Sequence, residues 1–325
     1  MTSVLVSGAS GIVGYGILRS LRRSGLALKL IGTSIHADTV ASAFCDVFEL
    51  APHTGKPGYL DWLLQTTRKH AVSLVIPGIE IDMHHWNDHR TALETAGVIP
   101  MLNAPELVTL CRDKWVFHEN LRQAGLPMLI ESSLNADFEQ LAARYGLPFL
   151  LKPRQGFASK GIVRINSVHE FAQHKTLIGE FLMAQPIVGN DDHEYTASAF
   201  GDGAGGYHAV ITMKRKLSAD GFTASASVVS SEPFEQAIAV LCQRFRPEGP
   251  TNFQFRLSGD NVKLLEINPR ISSSTSIRAA FGYNESAMAV EYYLDGKAPA
   301  QPVIQQGNAV RYTDEIITYE DCLHL

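Results

Sequence analysis

The residues Lys152-Pro153-Arg154-Gln155-Gly156-Phe157-Ala158-Ser159-Lys160-Gly161 carry the types needed to handle phosphate. A lysine ends an apolar strand, and a glycine-bounded loop with one serine and two further cations follows it. Backbone N–H groups in such a loop can line up as an anion nest. Lys152 then holds an inner phosphate, while the stretch from Gly156 through Ser159 to Gly161 folds over the outer ones. An exposed basic hairpin is the plain alternative, and the loop alone leaves both open. A second segment runs Asn252-Phe253-Gln254-Phe255-Arg256, then Val262 to Arg270 with the ending Glu266-Ile267-Asn268-Pro269-Arg270. Strand alternation puts Gln254 and Arg256 on one face, and Glu266 and Asn268 on one face. If the strands pair through the turn at Ser258 to Asn261, then Gln254, Glu266 and Asn268 converge. Such an all-oxygen set suits Mg²⁺, which takes a few protein oxygens together with waters and phosphates. Arg270 would then stabilise phosphoryl charge in transfer. A polar solvent face is the plain alternative, although an apolar strand running straight into Glu-x-Asn-Pro-Arg is unusual for an idle surface.

Other groupings are weaker. Gly8, Gly11 and Gly14 lie between a strand and a helix, spaced as in dinucleotide folds, but a tight strand–helix turn needs glycines equally. A nicotinamide site also wants an acid at the end of the second strand. That strand ends Gly32-Thr33-Ser34-Ile35-His36, and the first acid is Asp38. Tyr293 and Lys297 form the chain's Tyr-x-x-x-Lys, but it crosses Gly296 at a helix end. No G-x-x-x-x-G-K-[ST] occurs. Asp82 to His89 resembles a metal cluster, with His85 and His89 one helical turn apart. No Glu completes a zincin motif, so substrate-side polarity or a solvated helix start is favoured. Glu80 and Asp82 follow the strand Val72 to Pro77, where ligands bind in parallel sheets. Lys214 and Arg215 read as a solvated strand end or as phosphate or acyl-phosphate contacts, and Ser273 and Arg278 as caps of the next helix or as the grip on a substrate carboxylate, which Arg holds in bidentate fashion. Arg311 is read in a late strand without a role.

The elements that must place these residues follow from periodicity. Strands at Val4 to Ser7, Leu28 to Thr33, Val47 to Leu50 and Val72 to Pro77 alternate with helices at Ile17 to Arg23, Tyr59 to Lys69 and Asp88 to Thr95. This alternation predicts a parallel sheet covered on both faces. Asn103-Ala104-Pro105 reads as a capped helix start, and Arg112 to Ala124 as a helix closed by Gly125. From Phe149 onward strands dominate and short Gly or Asp turns join them, which predicts antiparallel hairpins. Helices remain at Ser167 to His174, Phe234 to Phe245 and Asn284 to Leu294.

Composition bounds the rest. At roughly 150 residues per domain, 325 residues suggest about two domains. The chain has 28 basic and 33 acidic residues, a net charge of −5, which argues against a dedicated nucleic-acid binder. Apolar residues make up 45%, enough for a substantial core. No apolar run approaches the roughly 18 residues of a membrane span. The start Met1-Thr2-Ser3 lacks a signal-peptide pattern. Cys45, Cys111, Cys242 and Cys322 are widely spaced, so reduced thiols in a cytoplasmic enzyme are expected, with no membrane partner.

Taken together, the Glu-x-Asn-Pro-Arg motif at 266–270, the Lys-Pro-Arg-x-Gly loop at 152–156 and the Asp113-Lys114 pair opening a helix that ends Ala124-Gly125-Leu126-Pro127 resemble the ATP-grasp superfamily. Within it they are similar to the branch related to the carbamoyl-phosphate synthase large subunit. The resemblance runs from Gly8 to about Leu294. It implies an α/β plus α+β fold: a Rossmann-like domain over 1–108, linker helices and an ATP-grasp lid over 109–182, and a larger antiparallel subdomain with the metal site over 183–325. It further implies ATP and Mg²⁺, with Mn²⁺ as a substitute. By the resemblance, Lys114 and Lys152 hold the α- and β-phosphates, and Gly156 to Gly161 is the mobile loop over the triphosphate. Gln185-Pro186-Ile187 is the hinge reading adenine, and Glu194 the ribose acid, here at a longer spacing from the hinge. Gln254, Glu266 and Asn268 match the metal ligands. The first is more often acidic in the wider superfamily, while Gln suits the synthase branch. Arg270 stands beside the γ-phosphate.

The implied activity is a carboxylate–amine ligase working through an acyl phosphate and releasing ADP and phosphate. Its partners are a small-molecule acid, with an amino acid or sugar acid expected, and an amine, in a symmetric homodimer. The rivals are an ATP-grasp phosphotransferase, a nicotinamide oxidoreductase using Gly8 to Gly14, and an inactive binder. Glu266→Gln and Lys152→Ala are each expected to abolish ATP turnover while circular dichroism shows the chain still folded. Normal turnover in both variants would remove the site assignment.

Overall fold

The computed structural model describes residues 1–37, 40–156, 161–190 and 194–317. The chain opens with β1 (Thr2–Val6), α1 (Ile12–Arg22), β2 (Leu28–Ser34), β3 (Val47–Leu50), α2 (Tyr59–Lys69), β4 (Val72–Ile76), α3 (Glu80–Asp88), α4 (Arg90–Thr95) and β5 (Ile99–Pro100). The strands form one parallel sheet in the order β3-β2-β1-β4-β5. Its central strands are apolar on both faces because both are covered. On one face Val4, Val6, Leu74 and Ile76 pack with Ile17, Leu18 and Leu21 of α1, and on the other Leu5, Ile31 and Val75 pack with Leu63, Met83 and Trp86.

The glycines of the first turn are explained by close packing. Gly8 has φ +58°, and a Cβ on Gly14 would lie 2.3 Å from the Gly8 carbonyl oxygen. A Cβ on Gly78, after β4, would lie 2.1 Å from the Ser7 carbonyl oxygen. The loops after β1 and β4 therefore touch backbone to backbone, at the sheet edge where ligands bind in such sheets.

Helices α5 (Pro105–Leu110) and α6 (Lys114–Gln123) lead out of the sheet. Asp113 caps α6, accepting from Trp115 N at 2.8 Å and Val116 N at 3.2 Å. Next come α7 (Phe138–Tyr145), β6 (Phe149–Pro153), β7 (Val163–Ile165), α8 (Val168–His174) and β8 (Leu182–Pro186). The strands make a small antiparallel sheet, β7-β6-β8, closed by Leu141, Phe149, Leu151 and Phe171.

The last part comprises β9 (Glu194–Asp202), β10 (Tyr207–Leu217), β11 (Thr223–Val229), α9 (Glu232–Phe245), β12 (Glu248–Ser258), β13 (Asn261–Asn268), α10 (Thr275–Ala280), α11 (Glu285–Asp295) and β14 (Asn308–Val310). Its strands form an antiparallel sheet in the order β13-β12-β9-β10-β11-β14. One face packs Ala197, Ala199, Phe253 and Phe255 on Phe234, Ile238 and Leu241 of α9. Alternation turns Glu194, Thr196, Asn252, Gln254 and Arg256 to the other face. Between β12 and β13 the pairing steps from Gln254↔Glu266 to Phe255↔Leu264, so Leu265 bulges out. The bulge lets Leu264 and Ile267 both reach the α9 core while Glu266 and Asn268 face the opposite way.

Several elements differ from the sequence reading. The expected helix at Asp88 to Thr95 is α4, Arg90–Thr95, and a further helix not anticipated, α3, precedes it and meets it at His89. Asn103 is no helix cap; its side chain accepts from Ala104 N and Glu248 N and donates to Thr251, tying the first sheet to the third. α7 and β8 had no strong periodic signal and were not anticipated. Arg311 lies just past the short β14. Asp38, Ser159 and Cys322 lie outside the described residues, as do positions 157–160 of the loop expected to be mobile. No helix among the described residues is long and apolar enough to cross a membrane. Gly78→Ala is expected to cost about 1–3 kcal/mol, because backbone must move to admit the methyl. An unchanged urea midpoint would show that the two loops can separate freely.

Candidate active site between the three sheets

A cavity of about 500 Å³ lies where the three sheets meet. The α6 cap positions its first cation. Arg154, just past β6, donates to Asp113 Oδ2 at 2.7 Å, and Lys114 N donates to Arg154 O at 2.8 Å. This double tie brings Lys114, at the start of α6, beside Lys152 near the end of β6. Both line the cavity. Lys114 Nζ donates to Gly156 O at 2.6 Å, and Lys152 Nζ to Gln185 Oε1 at 3.1 Å. Burial pushes the Lys152 ammonium down, Glu266 pulls it up, and Lys114 and Arg256 push it down further.

One end of the cavity is apolar, with Phe117, Ile130, Leu150, Met183 and Leu264 on its wall. His118, four residues after Lys114 on the same face of α6, accepts from Ser132 N at 3.1 Å. Burial lowers its pKa, which favours the neutral ring. Such an end fits a flat heteroaromatic base.

The middle is polar and rests on the large sheet. Glu194 accepts from Arg215 at 2.8 Å through one oxygen and from Arg256 at 3.0 Å through the other. Arg215 also donates to Gln254 Oε1 at 2.8 Å. Gln254 and Glu266 stand opposite each other across the hairpin. Asn268 Nδ2 donates to Glu266 Oε1 at 3.0 Å, and Arg270 Nη2 donates to Asn268 Oδ1 at 3.1 Å. Glu266 and Asn268 present oxygens suited to a hard cation that takes its remaining ligands from phosphate and water. The Gln254 oxygen accepts from Arg215 as the Asn268 oxygen does from Arg270, and each keeps a second lone pair for such an ion.

The far end touches the parallel sheet. Arg270 donates to Glu80 Oε2 at 3.0 Å, and His84 lies 3.8 Å from the other Glu80 oxygen. Burial pushes the Glu80 carboxyl up, but His84 and Arg270 outweigh it and hold it at about 2. Gly11 to Val13, Gly78 to Ile81, Ser272 and Ser273 complete this end.

The cavity thus gathers Lys114, Lys152, Gly156, Gln185, Pro186, Glu194, Arg215, Gln254, Glu266, Asn268, Arg270, Ser273 and Glu80. It leaves others out. Arg278 is fully buried behind the wall, with its guanidinium on Glu285 at 2.9 Å and on Thr196 at 2.9 Å. That pairing takes up the charge expected to meet a substrate carboxylate. Glu194, expected to face a ribose, has both oxygens on arginines. Ile187, Gly161 and Lys214 are not on the wall; β10 alternation carries Lys214 to the side opposite Arg215. Asp82 is buried and accepts from Thr54 and from Tyr59 at 3.0 Å, while the His85 and His89 rings stack 4.4 Å apart. Neither group builds a metal site, and no cluster of three His, Cys, Asp or Glu suited to a metal occurs among the described residues.

Sequence reasoning missed His118 and the clamp of Arg256 on Glu194. The i, i+4 relation of Lys114 to His118 and the shared face of Gln254 and Arg256 were the available signals. Cys111 also lines the cavity, where burial and the Glu266 and Glu80 carboxylates push its thiol up.

A family model described as ATP-grasp in the biosynthetic pathway with Ter operon matches residues 186–316. The carbamoyl phosphate synthase large chain of Thermotoga petrophila is 23% identical over 315 residues, which is 87% of this chain and 28% of that one. An uncharacterized protein of Sinorhizobium fredii is 24% identical over 189 residues, 52% of this chain and 38% of that one. The chain therefore spans about a third of the length of these curated relatives. Among solved structures, the biotin carboxylase domain dimer of the Hydrogenobacter thermophilus 2-oxoglutarate carboxylase superposes with a TM-score of 0.70 at 16% identity, covering 94% of this chain and 73% of that one. It was solved with MgADP, ADP and bicarbonate. Residues 186–316 thus match an ATP-grasp family model, and the chain is similar in sequence to carbamoyl-phosphate synthase large chains and in fold to a biotin carboxylase domain.

Proposed function

We propose that the chain is an ATP-dependent carboxylate–amine ligase that forms a carbon–nitrogen bond through an acyl phosphate and releases ADP and phosphate. The observation that carries this reading is the order of groups along one cavity. An apolar end is followed by Lys114 and Lys152, then by Glu266, Asn268 and Arg270, then by the loops of the parallel sheet. Adenine, the phosphates and an acceptor acid fit that order. We read the parallel sheet within 1–108 as Rossmann-like, 109–182 as linker and lid, and 183–325 as the larger ATP-grasp subdomain.

In this reading the backbone from Gln185 to Val188 meets adenine. Lys114 and Lys152 neutralise the inner phosphates, with the Gly156 carbonyl holding the Lys114 ammonium in place. Gln254, Glu266 and Asn268 would hold Mg²⁺, which supplies charge neutralisation on the phosphates. Arg270 and Arg215 flank the phosphoryl group in transfer, where positioning and charge outweigh any covalent help. Ser273 and Glu80 face the acceptor. A closed cavity protects an acyl phosphate from water. The reading carries a cytoplasmic setting with it, and a homodimer as the assembly, as in the Hydrogenobacter domain.

The test is ADP and phosphate release with Mg·ATP across amino acids and sugar acids, each with and without amines. Stimulation that needs both an acid and an amine, with one ADP and one phosphate per product, is expected. ADP without free phosphate would replace the ligase by a phosphotransferase.

A further inference from the structure

Glu80 and Arg270 lie 190 residues apart in sequence and meet at 3.0 Å on the wall of the cavity. Their side chains are 20% and 15% exposed, so the pair is largely removed from water. Arg270 is also one hydrogen bond from Asn268, at 3.1 Å, which fixes it beside the proposed phosphoryl-transfer point. Ile12, Val13, Ile79 and Ile81 line the same end of the cavity, with Ser272 and Ser273.

An ion pair on a cavity wall selects what can enter. A simple carboxylate gains Arg270 but meets the Glu80 charge beside it. A neutral polyol has no charge to exchange for either partner. Leaving one member of a largely buried pair unmatched is costly. A zwitterion avoids both costs: its carboxylate takes Arg270, its ammonium takes Glu80, and each protein charge trades one partner for another. The four aliphatic side chains suit an apolar substituent.

Building on the ligase reading, we infer that this end of the cavity takes a free aliphatic α-amino acid as the carboxylate partner, held between Arg270 and Glu80. A carboxylate oxygen of the amino acid attacks the γ-phosphorus, the bond to the β-bridging oxygen breaks, and ADP leaves. The amine nitrogen of a second molecule then attacks the acyl carbon and loses a proton as phosphate departs. Glu80 beside the first ammonium favours its charged form, so it is no nucleophile and the amine must come from that second molecule.

Hydroxylamine in place of the amine traps the acyl phosphate as a hydroxamate. With Mg·ATP, valine or leucine is expected to give hydroxamate, and the N-acetyl derivatives at least about tenfold less. Glu80→Gln is expected to raise the amino-acid KM about 10–100-fold with little change in kcat, the size of one lost charge-assisted hydrogen bond. Calorimetric binding of valine to the Mg·ADP-loaded chain should weaken by the same factor. Glu80→Asp, which keeps the charge at shorter reach, should fall between Gln and the original. Equal or better hydroxamate from N-acetyl amino acids or sugar acids, or an unchanged KM in folded Glu80→Gln, would overturn the proposal and leave the ligase reading standing. Hydroxamate from no acid, with phosphorylated product instead, would overturn both.

Discussion

Lys114, Lys152, Arg215, Arg256 and Arg270 share one partly buried cavity, and their mutual repulsion is the constraint the rest of the structure answers to. Two unit charges 4 Å apart interact by about 4 kcal/mol at an effective dielectric constant of 20. Carboxylates set between the cations offset this. Glu194 holds Arg215 with one oxygen and Arg256 with the other, and Glu80 holds Arg270. Among the described residues Lys152 has neutral Gln185 as its hydrogen-bond partner, with Glu266 acting at longer range, and burial lowers its pKa. The cavity therefore carries unspent positive charge in its middle. In the ligase reading a polyphosphate completes that balance, and the same charges would be a liability in a site for a neutral ligand.

The polar groups of the cavity are placed by different local devices. Lys114 depends on the Asp113 cap, because the same carboxylate also takes Arg154 and so ties α6 to β6. Glu266 and Asn268 depend on the bulge at Leu265, which lets apolar neighbours on both sides of Glu266 reach the α9 core. Glu80 depends on the backbone contact at Gly78, which holds the start of α3 against the first turn. Removing any one device would displace a charge, and of the three Asp113 acts from off the cavity wall.

This division explains what could be read from the chain. The parallel sheet was legible because its strands are short and apolar between amphipathic helices. The hairpin carrying Gln254 and Glu266 was legible because alternation and the turn at Ser258 to Asn261 fix its register. α7 and β8 were not, since their packing partners come from elsewhere in the small sheet. The site followed the same rule. Residue types at motif spacing, such as Lys152 and Glu266, reached the cavity. Partners across the sheet did not show. The clamp on Glu194 comes from Arg215 on β10 and Arg256 on β12, and only the strand order 12-9-10 puts both beside it. Arg278 misled because a lone arginine after the metal motif looks available, while its partner Glu285 opens the next helix.

The junction of the parallel sheet with the large sheet is held mainly by neutral contacts. Ile271, Ala289 and Val290 enter the core on α1, Asn103 bonds Thr251 at 2.7 Å, and Asn284 bonds Ser20 O at 2.9 Å. None of these needs the Glu80–Arg270 pair. A ligand can therefore part the two charges without undocking the sheets, since apolar burial at the junction is unaffected by which ion faces which. Were the pair the main tie, opening it for substrate would cost the junction itself. With the junction secured by burial, the pair is free to exchange partners with an entering zwitterion in the ligase reading, while Arg270 keeps its hold on Asn268 and so its proposed place beside the phosphoryl group.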